Sequence, residues 1–205
     1  MREGLWPVTV TARRVGGAPV ILRVLHTKDR RQWEALRAEN IEWLRPWEAT
    51  SPEPTETGLA FRQMVRHLDR EASKGHLRPF VIETEGRLVG QMHLFGIACG
   101  SLRSACAGYW VAESVAGQGI VPFALAAACD HAFLVLGLHR VEVNIRPENT
   151  ASLRVVEKLG FREEGLRRHY LHIDGAWRDH RSFALTSEDL GRGSLVEHWN
   201  HSQEP

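Results

Sequence analysis

The sequence predicts an α/β domain in which a mixed, mostly antiparallel central sheet carries helices on both faces. Three observations lead there. Short β-branched and aromatic runs alternate with stretches whose apolar residues recur at helical spacing. Glu85-Gly86 and Asp174-Gly175 each separate two strand-like runs, as tight hairpin turns do. The length, 205 residues and 23.2 kDa, suits one core rather than two.

Residues 20–25 (VILRVL) read as the first strand. Residues 29–44 (DRRQWEALRAENIEWL) space Trp33, Leu36, Ile41 and Leu44 along one helical face, with Asp29 as N-cap and Pro46 as the stop. Two prolines and polar content make 48–56 (EATSPEPTE) a loop. A second helix is predicted from about 57 to 73, with Leu59, Met64, Val65 and Leu68 on its apolar face and Gly75 ending it. Strands at 79–84, 88–97 and 104–112 form a meander, followed by a long apolar helix from 119 to about 136. A strand at 140–145, a short helix at about 150–159 and strands at 168–173 and 177–185 complete the order β, αα, βββ, α, β, α, ββ. The expected organisation is an N-terminal extension (1–19), a single domain (20–187) and a polar, loosely held C-terminal tail (188–205).

Composition narrows the function. Lys plus Arg number 26 and Asp plus Glu 25, a net charge of +1, so the basic excess of a nucleic-acid or anionic-membrane binder is missing. The pairs Arg13–Arg14, Arg30–Arg31 and Arg167–Arg168 are scattered and read as solvated faces. Cys99, Cys106 and Cys129 lack metal-ligand spacing and fit a reducing compartment. The start, MREGLWPVTVTARR, has no signal-peptide pattern. The apolar stretch 120–138 carries Asp130 and His131 at its middle; Asp there costs roughly 2.5–3.5 kcal/mol on insertion scales, so a buried helix of a cytoplasmic protein is expected. Among the 11 histidines, His169 and His172 face opposite ways on a strand, His198 and His201 lie in the tail, and no HExxH occurs; no metal is expected. His93, His131 and His139 read as packed or capping residues.

Two stretches carry chemistry. In the first, a strand ending at Ala112 passes through a turn with Gly117 and Gly119 into a helix. Such a turn presents main-chain N–H groups and the positive end of a helix dipole, and glycine lets an anion approach closely. It is either a phosphate or pyrophosphate site or a plain connecting loop. G-x-x-x-x-G-K-[ST] and G-x-G-x-x-G are absent, which disfavours nucleotide hydrolysis and dinucleotide binding. In the second, residues 141–165, a strand enters a helix capped by Asn149, with Ser152 one turn inside and Gly160-Phe161 closing it.

Taken together, Val111, Ala116-Gly117-Gln118-Gly119-Ile120-Val121, Asn149-Thr150-Ala151-Ser152 and Glu157-Lys158-Leu159-Gly160-Phe161 resemble the GCN5-related N-acetyltransferase (GNAT) superfamily. Residues 40–47 (NIEWLRPW) and Gly108-Tyr109-Trp110 resemble its Rim-type branch, the ribosomal-protein alanine and serine N-acetyltransferases. The resemblance implies the GNAT fold, acetyl-CoA as donor, and direct transfer without an acyl-enzyme, since no cysteine lies in either motif. It implies coenzyme contacts from Trp110, Val111, Ala116, Gly117, Gln118, Gly119, Ile120, Val121, Asn149 and Ser152. The implied acceptor is a primary amine, preferably a protein N-terminal α-amine. A small-molecule amine, or an acyl-CoA-binding sensor with little catalysis, are the alternatives, and the state is monomer or homodimer.

Two departures stand out. The family loop reads [Gln/Arg]-x-x-Gly-x-[Gly/Ala], whereas Ala116 and Val121 occupy its ends here and Pro122 follows without an N–H. Many members place a Tyr proton donor where this chain has Val156. An α-amine of pKa near 8 is already about 10% neutral at pH 7, against under about 0.1% for a Lys amine, so alignment and a weak base suffice. By its motif position Ser152 is implied to face the leaving thiolate; alone, it is a helix-terminus hydroxyl. His169, or a water it holds, is the expected base, Tyr170 the substrate-orienting neighbour, and Glu142 and Asn144 are rivals to His169. Trp43, Trp47, Glu42 and Glu48 are expected at the lip of the acceptor groove, the acids free to meet a cationic amine.

Overall fold

A computed structural model describes residues 6–53, 59–191 and 193–202. Eight strands, β1 (Val10–Ala12), β2 (Val20–Val24), β3 (Leu77–Thr84), β4 (Arg87–Ala98), β5 (Ser104–Val111), β6 (Arg140–Ile145), β7 (Arg162–Ile173) and β8 (Ala176–Thr186), form one sheet. Their order is β1-β2-β3-β4-β5-β6-β8-β7, antiparallel throughout except between β5 and β6. The helices are α1 (Arg30–Glu39), α2 (Ile41–Leu44), α3 (Phe61–Ser73), α4 (Ile120–Asp130), α5 (Thr150–Lys158) and α6 (Leu195–His201).

Side-chain alternation explains the two covered faces. Phe80 and Ile82 of β3, with Met92 and Leu94 of β4, meet α4, while Val81 and Leu88 turn to the other face with Trp33 of α1 and Trp110. Burial on both faces is why β3 reads as a continuous apolar run. Every residue of α4 from Pro122 to Cys129 is buried, and a helix apolar all round belongs in such a position. Phe123 and Leu125, fully buried, each contribute roughly 1.5–3 kcal/mol by area.

The helix predicted over 29–44 breaks at Asn40, which is 5% exposed. Its side-chain amide donates to Leu36 O (2.8 Å), and its Oδ1 accepts the N–H of Glu113 (2.8 Å) just beyond β5. The helix resets after this break, and Ile41 lies exposed rather than on the apolar face. Likewise α3 begins at Phe61; of the expected earlier start, residues 54–58 fall outside the described residues and Leu59 is exposed. The long helix ends as α4 at Asp130 and continues through a π-helical turn over His131–Val135.

Both chain ends are more firmly built in than their polar composition predicts. β1 pairs with β2, and Trp6 packs on Phe80 while donating to Asp69 Oδ1 (2.7 Å). The expectation of a loosely held tail is overturned for residues 193–202. Leu195 and Trp199, one helical turn apart, are both buried in the core. Asp130 accepts the N–H groups of Leu195 (2.8 Å) and Val196 (3.0 Å), and Ser194 caps the same helix. Residues 192 and 203–205 lie outside the described residues.

Candidate active site

β5 and β6 pair only along Ser104–Cys106 and Arg140–Glu142, and past that point the two strands diverge. The gap opens into a cavity of ≈ 340 Å³. Ala107, Gly108 and Tyr109 line it from β5, Val143, Asn144 and Ile145 from β6, and Asn149 and Ser152 from the start of α5. A parallel pair that separates leaves main-chain groups of both strands without each other as partners, which suits a ligand with amide groups of its own.

The turn before α4 has the geometry that its glycines predict. Gly117 (φ 77°) and Gly119 (φ 74°) are left-handed, and Gly119 is the residue from which α4 starts. Among the described residues no backbone acceptor pairs with the N–H groups of residues 117–121, which leaves them open at a helix N-terminus. Gln118 is exposed and donates to Ser114 O (3.2 Å), Ile120 is buried, and Ala116 and Val121 pack against the core. Val111 ends β5, where its carbonyl accepts Trp43 Nε1 (3.0 Å). Trp110 sits differently from what was expected of a coenzyme contact. Alternation along β5 turns its side chain to the opposite face, 5.6 Å from Trp33, with Arg37 stacked over it.

Asn149 caps α5 as predicted, its Oδ1 accepting the N–H of Ser152 (3.0 Å). The cap leaves the Ser152 hydroxyl free to meet Tyr109 Oη at 2.8 Å. Burial pushes the Tyr109 phenol above its ordinary pKa, and the Ser152 bond opposes that only in part. The phenol stays protonated and can feed a proton through Ser152. Val156 is fully buried in the core, and the tyrosine that meets Ser152 comes instead from β5. The sequence names Tyr109 in the Gly108-Tyr109-Trp110 motif but does not pair it with Ser152, 43 residues away.

The expected base lies outside the cavity lining. Arg167 pairs with His180 and Leu171 with Arg178, so three β7 residues bulge opposite the single residue Asp179. The bulge breaks strand alternation. His169 (φ 49°) is exposed, donates its backbone N–H to Asp179 Oδ1 (2.8 Å) and does not line the cavity. Tyr170 does line it, stacked edge-on against His180 with ring centroids 5.4 Å apart. His180 is 3% exposed, and its Nδ1 donates to Arg178 O (3.1 Å), which leaves Nε2 as the acceptor. Burial lowers its pKa, so the imidazole is neutral at pH 7. It is the one histidine lining this cavity among the described residues.

Of the rivals, Asn144 lines the cavity but its Oδ1 is taken by Ser182 Oγ (2.6 Å), and Glu142 is held by Arg140 and Arg167, both at 2.9 Å. The acids expected at the lip are occupied too: Glu42 pairs with Arg45 and Glu48 with Arg37. Trp47 lines the cavity beneath the Arg146 guanidinium, 5.5 Å from its ring centre. No carboxylate lines the cavity among the described residues, and no cysteine does. No group of three or more His, Cys, Asp or Glu could hold a metal among the described residues, and no helix there is long and apolar enough to cross a membrane.

Comparison with known proteins agrees with this geometry. Residues 20–162 match the acetyltransferase (GNAT) domain family. A probable N-acetyltransferase of Bacillus subtilis, YjcK, is 31% identical over 84% of this chain and 97% of its own length. The [ribosomal protein uS5]-alanine N-acetyltransferase of Escherichia coli is 30% identical over 85% of this chain and 91% of its own. Among solved structures, Mycobacterium smegmatis RimJ in complex with CoA-disulfide superposes with a TM-score of 0.88 at 40% identity, covering 96% of this chain and 95% of that one.

Proposed function

The chain belongs to the GNAT acetyltransferase family and is an acetyl-CoA-dependent N-acetyltransferase, and we propose that its acceptor is a protein N-terminal α-amine of the ribosomal-protein type. One observation carries the choice of acceptor. The cavity is lined by Arg146 and by no carboxylate among the described residues, a poor receptor for a polycationic amine. An α-amine is about 10% neutral at pH 7 and needs no acidic wall to hold it. The relative that acts on a ribosomal-protein alanine supports the same reading.

The residues divide the work. The N–H groups of 117–121 hold the coenzyme diphosphate, and the separated edge of β5 accommodates the pantetheine arm. When bound, acetyl-CoA supplies the thioester carbon to which the amine adds. Tyr170 and Trp47 frame the incoming chain end. His180 Nε2 receives the proton that the amine loses, directly or through a water. Ser152 Oγ, replenished by Tyr109, gives a proton to the departing sulfur. Orientation within the cavity supplies the larger part of the rate. A ribosomal-protein acceptor supports a cytoplasmic location, and the proposed state is a monomer or homodimer.

The test compares thiol release from acetyl-CoA with a peptide bearing a free Ala or Ser N-terminus, the same peptide N-terminally blocked, and spermidine. The free α-amine is expected to be the substrate. Turnover confined to spermidine would transfer the assignment to small amines, and no acceptor-dependent release would favour a coenzyme-binding sensor.

A further inference from the structure

Beyond the family-matched residues 20–162, both chain ends converge on the turn before α4. Arg14 donates from Nη1 to Gln118 O, and this guanidinium lies 3.5 Å from where a Cβ on Gly119 would stand. Gly17 makes the room, since a Cβ there would fall 2.5 Å from Arg14 Nε and Nη2. Asn200 of α6 grips the backbone on either side of Arg14. It donates from Nδ2 to Arg13 O (2.9 Å) and accepts the N–H of Val15 at Oδ1 (3.1 Å). Trp199, one residue earlier, comes within 3.7 Å of the same Gly119 position. Its indole N–H is buried with no partner among the described residues, and Lys158 Nζ lies 6.0 Å from its ring centre. No carboxylate pairs with Arg14 or Lys158 among the described residues.

A guanidinium with no carboxylate partner among the described residues, held against an open amide cradle, is set up to receive an anion. The loop itself has little to add, since Ala116 offers no polar side chain and Pro122 brings no N–H. We propose that Arg14 is a phosphate ligand of the coenzyme and that Asn200 positions it. The proposal rests on the coenzyme reading above. Its ligand chemistry is a phosphate of coenzyme A, either the diphosphate or the 3′-phosphate. Arg14 is thus no solvated surface charge; the N-terminal extension supplies what the loop lacks.

Titration calorimetry of the full chain with CoA and dephospho-CoA tests this, alongside kcat/KM for S-acetylpantetheine, which has neither phosphate. Arg14→Gln is expected to weaken CoA binding about tenfold or more, the scale of one charge-assisted contact, and to leave S-acetylpantetheine turnover unchanged. Asn200→Ala weakens CoA in the same direction without altering S-acetylpantetheine turnover, and Arg14→Lys retains more affinity than Arg14→Gln. An equal loss with dephospho-CoA identifies the diphosphate, and a loss with CoA alone identifies the 3′-phosphate; both support the proposal. CoA affinity unchanged in Arg14→Gln, or S-acetylpantetheine turnover falling in parallel, would overturn it. If Arg14→Gln does not fold, Asn200→Ala and Arg14→Lys give the same readout. A wild-type chain that binds no CoA would instead remove the coenzyme reading itself.

Discussion

Replacing Tyr109 by Phe removes one hydroxyl and little else, because the ring keeps its place on β5 beside the cavity. What is lost is the 2.8 Å bond to Ser152 Oγ. Its contribution to folding is that of one hydrogen bond, about 0.5–1.5 kcal/mol net. For a chain of this length that is a melting-temperature fall of roughly 1–6 °C. The catalytic loss is expected to be larger. A positioned proton donor contributes about 10²–10⁴ in rate. Ser152 remains and can draw on water, which puts the fall in kcat toward about 10²-fold. KM for acetyl-CoA should hardly change, since neither hydroxyl belongs to the amide cradle. The assay is thiol release at saturating acetyl-CoA with a free-α-amine peptide, paired with calorimetric CoA binding and a thermal melt. Turnover within twofold of wild type, in a variant that folds and binds CoA normally, would refute the relay from Tyr109 through Ser152.

Three further outcomes are expected. His180→Gln should lower kcat at pH 7 by about 10²-fold while His169→Gln leaves it within twofold, and the reverse ranking in the same assay would restore His169 as the base. Gly119→Ala forces a Cβ into a left-handed residue (φ 74°), at a cost of about 1–2 kcal/mol, beside Arg14 and Trp199. Calorimetry should show weaker CoA binding, and unchanged affinity would count against the cradle. His131, 4% exposed, has its pKa lowered to about 4, chiefly by burial and then by Arg78. The unfolded chain therefore binds the extra proton between pH 6.5 and about 4. Stability is fully present above pH 6.5 and falls by about 3 kcal/mol on acidification through that window. Melting temperatures across pH 4–7 should be flatter for His131→Gln, and an equally steep wild-type-like dependence would show that His131 is not responsible.

Local signals were the legible ones. The cap at Asn149, the left-handed glycines of the turn and the wholly apolar α4 depend on residues adjacent in the chain or one helical turn apart. Contacts between distant segments were not. Nothing near Ser152 announces Tyr109, and nothing near Asn40 announces the amide of Glu113, 73 residues away. The place of His169 was not legible either, because a motif position says nothing of the three extra-register residues that β7 carries opposite Asp179. The tail was misread by its polar composition, although Leu195 and Trp199 already stood four residues apart on one helical face.

The grip of Asn200 on residues 13 and 15 fastens the two extremities of the polypeptide to one another across 187 residues. Closure over so long a separation ties local fraying at either end to the opposite end. Trimming the last helix, or fusing a rigid partner onto residue 1, acts on a clasp that sits over the start of α4. A change at either end is thereby felt at the other, and both ends meet over the turn from which α4 starts.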